Sequence, residues 1–471
     1  MATAAASLPS IKLLAESADL KSIPSHYDYS KNANEPTASD PDESLPIIDF
    51  SLLTSGTLDQ RSKVIDDIGR ACQDWGFFMV VNHGVPETLM KAVIGACNEF
   101  FDLTEEEKRE FEGKDVLDPI RCGTSFNAQK EKVFFWRDFL KVLVHPQFHF
   151  PSKPLGFSEL SLEYCERTRK VARELLRGVS ESLGLEDCYL DKALDLDMGL
   201  QVFIANLYPP CPQPELAMGM PPHSDHGLLT LLIQNDVGGL QIQHNGKWVN
   251  VNALPNSFLV NTGDHLEIFS NGKYKSVMHR AAVNNKVTRI SIAMANGPSM
   301  DTIVSPAPKL VEDRNRLPAY VPMKYKEYLA LQQGNQLDGK SCLDRLLLVI
   351  KSTMARSQHP SILLMLSVVT LSLMSSSKIV ADARHLLETT LPEVPKPELP
   401  ELPKPELPEL PPLPKVELPP LPDVPSLPKP ELPHVPELPH LPEIHDLPKP
   451  TFPTIPTSLP KDIHFPSLSP P

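Results

Sequence analysis

Residues 223–233 read His-Ser-Asp-His-Gly-Leu-Leu-Thr-Leu-Leu-Ile and form the centre of a stretch, 201–294, in which short apolar runs alternate with Gly, Pro and Asn. Runs of this length, bounded by turn residues, predict short β-strands. Strands at this density favour a double-stranded β-helix, or jelly roll, whose mouth can enclose a ligand. We expect about eight strands, at 201–207, 228–234, 240–243, 247–251, 257–261, 264–270, 276–283 and 288–294.

Helical spacing of apolar residues occurs on both sides of this stretch. It predicts helices at 57–74, 86–113 and 157–184, and a closing helix near 323–332. Helices followed by a run of strands indicate an α+β class that is mainly β. The predicted architecture is a jelly-roll core braced by N-terminal helices.

Two histidines and one aspartate in the strand-rich stretch form a candidate metal site. His223 and Asp225 directly precede an apolar run and are expected to open its strand, where residues two apart project from the same face. His279 would complete the set. Two imidazoles and a carboxylate that leave coordination positions open are typical of ferrous iron sites that activate oxygen. His83 and His226 are not expected to bind the metal.

An arginine and a serine follow the second histidine at a spacing that also suits strands. The runs 275–283 and 288–294 flank Asn284-Asn285-Lys286, which predicts a hairpin turn. Arg289 and Ser291 would then share one face and bind the same carboxylate. The simpler interpretation, a solvated arginine and a core histidine, is disfavoured by their joint occurrence. The sequence therefore indicates oxygen chemistry assisted by a small organic acid.

Six motifs in the same order make residues from about 45 to 345 resemble a plant 2-oxoglutarate- and iron(II)-dependent dioxygenase. The similarity is to the group that contains flavanone 3-hydroxylase, anthocyanidin synthase and the downy-mildew-resistance oxygenases. The motifs are the His-x-Asp and Arg-x-Ser tripeptides together with Leu45-Pro-Ile-Ile-Asp49, Trp75-Gly-Phe-Phe-Met-Val-Val-Asn-His-Gly84, Asn206-Leu-Tyr-Pro-Pro-Cys-Pro-Gln-Pro214 and Ser270-Asn-Gly-Lys-Tyr-Lys-Ser276.

The resemblance implies a role for each matching position. The iron ligands would be His223, Asp225 and His279. Arg289 and Ser291 would hold the distal carboxylate of 2-oxoglutarate. The resemblance also implies that Tyr208 bonds that carboxylate, that Asn206 lies near the end chelated to iron, and that Fe(II), 2-oxoglutarate, O2 and ascorbate are the cofactors and co-substrates. Release of succinate and CO2 would accompany hydroxylation or desaturation of a small plant metabolite such as a flavonoid, phenolic or hormone.

Position in the family also indicates which residues line the substrate pocket: Phe126, Ile204, Ala295 and Gly297. For Phe126 taken alone, core packing is the simpler interpretation. Three other functions stay open at this point. They are an ascorbate-dependent iron oxidase of the same fold, a structural cell-wall protein, and a binding module with an inactive site.

Composition limits the partners. The net charge of −14 provides no basic surface for nucleic acid or an anionic membrane, so a small-molecule substrate is expected. Seven scattered cysteines, without a Cys-x-x-Cys pair, favour reduced thiols and a cytoplasmic location. We expect the catalytic domain to be a monomer.

The predicted organisation has five segments. Residues 1–42 form a flexible leader, 43–150 an N-terminal dioxygenase region and 151–348 the catalytic jelly roll with its bracing helices. Residues 349–383 have the basic start, short apolar run and small-residue cleavage site of a secretory signal.

The fifth segment, 384–471, is a proline-rich tail: 28 of the 51 prolines lie in 391–471, in repeats of Pro-Glu-Leu-Pro. It resembles plant cell-wall proteins and is expected to be disordered and, if expressed separately, secreted to the cell wall. An internal signal followed by such a tail indicates that two unrelated proteins have been joined by read-through between neighbouring genes. If the fusion were real, the apolar segment would act as a weak membrane anchor for the enzyme.

Overall fold

The structure is a computed structural model that describes residues 9–30, 38–39, 44–113, 115–127, 130–312 and 317–348. The chain divides into two units, Met1–Ala381 and Asp382–Pro471, and every described residue belongs to the first. The predicted signal-like segment and proline-rich tail lie outside the described residues.

The helices of the described residues precede, interrupt and follow the strands. They are α1 (Ile11–Glu16), α2 (Phe50–Ser55), α3 (Leu58–Arg70), α4 (Glu87–Asp102), α5 (Glu105–Lys108), α6 (Phe157–Ser182), α7 (Tyr189–Ala193), α8 (Asp264–Phe269), α9 (Pro308–Glu312), α10 (Tyr325–Gln333) and α11 (Ser341–Leu346). Among them, none is both long and apolar enough to span a bilayer.

The strands are β1 (Ile47–Asp49), β2 (Phe77–Val81), β3 (Ile120–Thr124), β4 (Asp138–His145), β5 (Gln201–Tyr208), β6 (Met220–His223), β7 (Leu229–Gln234), β8 (Leu240–His244), β9 (Lys247–Asn250), β10 (Phe258–Thr262), β11 (His279–Ala281), β12 (Arg289–Asn296), β13 (Ile303–Val304) and β14 (Met323–Lys324). An eight-stranded sheet has the order β1-β2-β10-β7-β12-β5-β4-β3, and a four-stranded sheet has the order β6-β11-β8-β9. These two sheets form the predicted jelly roll.

The predicted bracing helices are present on the outside of the larger sheet, except that the helix predicted at 86–113 is divided into α4 and α5. Helices α3, α4 and α6 contribute Ile68, Val93 and Leu175 to the main apolar core, and all three side chains are fully buried. The larger sheet takes four of its strands, β1 to β4, from before residue 150. The N-terminal region therefore helps to build the site as well as support it.

Part of the predicted leader is packed against the domain. Ile11 in α1 is fully buried. The carboxylate of Asp138 accepts hydrogen bonds from the Ser10 hydroxyl at 2.7 Å and from the backbone N–H groups of Ile11 and Lys12, each at 2.9 Å. The expectation of a flexible leader was wrong for this segment, because a buried carboxylate from β4 holds the start of α1.

One predicted strand is a helix, and one observed strand was not predicted. Each difference has a physical reason. Residues 264–269 form helix α8, in which polar and apolar side chains alike are buried, so the alternation of Leu266 and Ile268 with polar residues does not mark one face of a strand. Strand β6 was missed because Pro221 and Pro222 interrupt its pattern. Proline is tolerated there because β6 is the edge strand of the smaller sheet.

The predicted hairpin is also wrong. The turn exists, since the Asn284 side chain accepts hydrogen bonds from the N–H groups of Lys286 and Val287 at 2.8 and 2.9 Å. However, β11 pairs with β6 and β8 in the smaller sheet, whereas β12 pairs with β5 and β7 in the larger one. The turn therefore carries the chain from one sheet to the other.

Candidate active site

The three residues predicted to bind metal lie together at one end of the roll. One ligand atom from each of His223, Asp225 and His279 lies within 4.8 Å of the others. The Asp225 Oδ1 atom is 3.8 Å from His223 Nε2 and 3.6 Å from His279 Nε2. His223 ends β6 and is the cross-strand partner of His279 in β11, whereas Asp225 lies in the turn before β7. The prediction that His223 and Asp225 lie in the same strand is therefore wrong.

Hydrogen bonds orient both imidazoles. The Nδ1 atoms of His223 and His279 face the carbonyl oxygens of Pro221 and Val277 at 2.8 and 3.2 Å. A carbonyl can only accept, so each Nδ1 carries the proton and each Nε2 keeps a free lone pair toward Asp225. This is the tautomer that a metal ion needs.

The charges of the triad also suit a divalent cation. Burial, together with the neighbouring His279, lowers the pKa of His223 to about 3, so its imidazole is neutral at physiological pH. Burial opposes ionisation of Asp225, but the two imidazoles when protonated, and the Asn261 amide as a hydrogen-bond donor, favour it, so the pKa of that carboxyl is lowered. Asn261 donates to Asp225 Oδ2 at 2.8 Å, which leaves Oδ1 facing the histidines. The donor set fits ferrous iron.

The four residues predicted to bind the oxo acid share one face of the larger sheet. In the antiparallel pair β5·β12, Arg289 lies opposite Tyr208 and Ser291 lies opposite Asn206. Residues directly opposite in such a pair project to the same side. All four line a cavity of about 130 Å³ that also contains the triad.

Arg289 is a buried cation without a carboxylate partner among the described residues. It is 2% exposed, its Nη2 atom donates to Gln234 Oε1 at 2.8 Å, and its Nε atom has no partner. Its guanidinium carbon lies 5.1 Å from the centre of the Tyr208 ring. A buried charge of this kind is costly unless a bound anion compensates it.

Three of the four predicted substrate residues line the same cavity. Phe126, Ile204 and Ala295 do so, together with Ala293, which was not predicted. Gly297 is not among the lining residues. Its backbone is packed against the Tyr325 ring, whose hydroxyl would lie only 2.2 Å from an added Cβ. A close backbone approach therefore accounts for glycine at this position.

Two other histidines lie outside the triad. His83 bonds the Asn256 carbonyl at 3.1 Å through Nε2 and accepts from the Val85 N–H through Nδ1. His226 lines the cavity, and its Nδ1 lies 2.8 Å from the Tyr325 hydroxyl. Neither belongs to the metal-binding group formed by the described residues.

Two buried cations and the amide that orients Asp225 are not predicted by the sequence motifs. Arg137 donates to Asn206 Oδ1 at 3.0 Å, and Lys141 faces the cavity from the middle of β4. A lysine inside an otherwise apolar strand could have been noticed. The role of Asn261 in β10 had no local signal, because it depends on the pairing of β10 with β7.

Comparisons with known proteins agree with this geometry. Residues 199–298 match the model of the 2OG-Fe(II) oxygenase superfamily, and residues 45–159 match that of the non-haem dioxygenase in morphine synthesis N-terminal family. The chain is 46% identical over 323 residues to 2-oxoglutarate-dependent dioxygenase 19 of Oryza sativa subsp. japonica, covering 68% of this chain and 96% of that protein. The chain belongs to the 2OG-Fe(II) oxygenase superfamily. It is a 2-oxoglutarate-dependent dioxygenase.

Other similar proteins have related names. Protein DMR6-LIKE OXYGENASE 2 of Arabidopsis thaliana is 40% identical over 332 residues, covering 68% of this chain and 93% of its own. The crystal structure of JOX2 in complex with 2OG, Fe, and JA is 33% identical, with a TM-score of 0.64, and covers 72% of this chain and 98% of that one. The superfamily uses Fe(II), 2-oxoglutarate and O2, usually with ascorbate.

Proposed function

We propose that this enzyme hydroxylates or desaturates a small plant metabolite, a flavonoid, phenolic or hormone, and that His223, Asp225 and His279 hold its iron. Fe(II) bound by these residues would catalyse the oxidation of 2-oxoglutarate by O2 to succinate and CO2. The Asn261 amide would fix the carboxylate, and the backbone carbonyls behind the two imidazoles would fix the rings.

The observation that carries this proposal is the buried, unpaired guanidinium of Arg289 in the same cavity as the triad. A dicarboxylate that reaches the metal with one end would neutralise Arg289 with the other. Ser291 and Tyr208 flank the guanidinium and would add hydrogen bonds to that carboxylate, while Asn206 would lie nearer the metal. An iron oxidase that uses ascorbate alone would leave the guanidinium without this partner.

Incubation of the protein with Fe(II), ascorbate, 2-oxoglutarate and a plant metabolite extract tests the proposal. We expect products that have gained one oxygen or lost two hydrogens, formed together with an equivalent amount of succinate. His279→Ala should abolish the formation of oxidised product and of succinate because it removes a metal ligand. His149 lies outside the cavity, so His149→Ala should retain both activities. Substrate oxidation without succinate would favour the ascorbate-dependent oxidase instead.

A further inference from the structure

Two cationic side chains face the cavity from the β3 end of the larger sheet. Arg121 in β3 and Lys141 in β4 are direct cross-strand partners, and both line the cavity. Like charges placed directly opposite each other destabilise a sheet. Two like charges on one face of the cavity indicate that a bound group of opposite charge compensates them.

Lys141 has no counter-ion among the described residues. It is 7% exposed, and its Nζ atom donates to Gln333 Oε1 at 2.9 Å. Burial, together with the guanidinium groups of Arg121 and Arg137, lowers the pKa of Lys141 to about 7. Arg121 and Arg137 are less isolated, since Asp118 and Asp115 act on the former and Glu131 acts on the latter.

The co-substrate would not compensate Lys141. A divalent iron, the Asp225 carboxylate, a doubly negative oxo acid and Arg289 are together neutral, and Asp225 is the one carboxylate among the lining residues. Lys141 lies opposite Ile204, and Ile204 lies opposite Ala293, so Lys141 is two strands and four residues from Arg289. From the usual spacing of strands and of residues along a strand, the backbones of Lys141 and Arg289 are about 10 Å apart across the sheet and about 13 Å apart along it. One oxo acid cannot bridge that separation.

A row of apolar side chains runs across the larger sheet from Lys141. Lys141, Ile204, Ala293 and Leu232 follow one another in register across four neighbouring strands, and all line the cavity. The small side chain of Ala293 leaves room above this row. A ligand anchored at Lys141 could therefore lay an apolar body along the row, within the cavity that also holds the triad.

We propose that the substrate is an organic acid whose carboxylate is bound by Lys141 and Arg121 while its apolar body lies along Ile204 and Ala293. This rests on the proposed function, because it assigns Arg289 to the oxo acid. A carboxylate-binding pair at this place narrows the substrate class to anionic metabolites. Lys141 and Arg121 are then specificity residues that recognise charge.

Calorimetric titration tests the proposal on the full chain, loaded with Mn(II) and 2-oxoglutarate so that no turnover occurs. The probes are benzoate, cinnamate and indole-3-acetate, each compared with its methyl ester. We expect at least one acid to bind at least about tenfold more tightly than its ester, which corresponds to about 1.4 kcal/mol.

Two variants and a control make the test specific. Lys141→Met should bring the acid-to-ester preference close to one, and Lys141→Arg should retain it. Affinity for 2-oxoglutarate should stay unchanged in both. Lys91→Met, on the exposed face of α4, should behave as the wild type. Circular dichroism confirms that each variant is folded.

Failure of this proposal can be distinguished from failure of the proposed function. If 2-oxoglutarate binds but no acid binds the wild type, or if Lys141→Met keeps the preference for acids, the anionic subsite is wrong. If 2-oxoglutarate itself does not bind, the proposed function fails and the subsite fails with it.

Discussion

At the scale of single residues, the two buried cations Arg289 and Lys141 carry the chemistry that the triad does not. Each faces the cavity, and neither has a carboxylate partner among the described residues. Removing one partner of a buried charge pair is costly, so an unpaired buried cation indicates an absent anion. Each cation predicts a separate, measurable effect.

Replacement of Arg289 by alanine should mainly weaken 2-oxoglutarate binding. Hydrogen bonds to charged groups contribute about 1.5–3 kcal/mol, so the dissociation constant should rise roughly 10- to 150-fold. Titration with Mn(II) present measures it. Arg167→Ala, which removes an exposed ion pair to Glu163 on α6, is the control. An unchanged affinity for 2-oxoglutarate would contradict the role assigned to Arg289.

Replacement of Lys141 by methionine should stabilise the protein in a pH-dependent way. The folded-state pKa of Lys141, about 7, lies below its ordinary value of 10.5, so the unfolded chain binds more protons between these pH values. The free-energy cost of burying the charged Lys141 ammonium group is therefore largest below pH 7, and it disappears as the pH rises toward 10.5. The groups that face Lys141 are Arg121, Arg137 and His226.

Urea unfolding of both proteins between pH 6 and 10 measures this effect. The free energy of unfolding of Lys141→Met should exceed that of the wild type by a few kcal/mol at pH 6, on the order of 1.4 kcal/mol for each unit of pKa shift. The difference should shrink as pH rises above 7. A difference that does not vary with pH would mean that Lys141 is not a destabilising buried cation.

At the scale of elements, helix α10 fastens the turn that carries Asp225. Tyr325 bonds His226, Tyr328 donates to Asp264 Oδ2 at 2.6 Å, and Gln332 donates to the Ser224 carbonyl at 3.1 Å. These side chains lie at spacings of three and four residues, hence on one face of the helix. The predicted closing helix thus contacts the turn that carries Asp225.

Tyr328→Phe should lower the stability of the fold. It removes the hydroxyl that bonds the buried Asp264 carboxylate but keeps the ring, which should lower the free energy of unfolding by about 1–3 kcal/mol. Thermal unfolding measures the change. Tyr189→Phe, at a half-buried position on α7, is the matched control. If the two variants unfolded at the same temperature, the bond from Tyr328 to Asp264 would not stabilise the packing of α10 against α8.

Local patterns predicted most elements of the roll correctly, including β5, β7 to β10 and β12, because those strands have short apolar runs bounded by turn residues. They failed at α8, where every residue is buried, and at β6, where two prolines lie on a sheet edge. They also failed at β11 and β12, which were predicted to pair. Strand partners depend on distant segments, and local periodicity does not contain that information.

At the scale of the whole molecule, the net charge and the charge of the cavity have opposite signs. The chain carries −14 overall, whereas five cationic side chains line the cavity with one carboxylate: Arg121, Arg137, Lys141, Arg280 and Arg289. A low-dielectric cleft of one sign attracts small ligands of the other sign. The acidic surface would disfavour polyanions while the cavity accepts small anions.

A chain that ends at residue 348 should bind Mn(II) and 2-oxoglutarate as tightly as the full chain. The reason is that every residue lining the cavity lies between Phe77 and Leu337. Parallel titrations of the two proteins check this. Weaker binding by the shorter chain would show that residues after 348 contribute to the site.

The joining of two unrelated proteins stays a prediction from the sequence. Its test is independent of the enzyme: peptides from tissue extract that bridge residues 343–378 would contradict it, whereas separate products for the two parts would support it. Apart from the packed part of the leader, the division into five segments likewise remains an expectation.

The sequence by itself determined which residues could form the site. His223, Asp225, His279, Arg289 and Ser291 were identified because their side-chain chemistry and short spacings suit iron and a carboxylate. Tertiary structure alone decided how they meet: His223 and Asp225 flank a turn between two sheets, and the β5·β12 register sets Tyr208 against Arg289. It also placed Lys141 opposite Arg121. The physical reason is that spacing along a chain fixes only near neighbours, whereas the burial of distant strands against each other sets which side chains share a cavity.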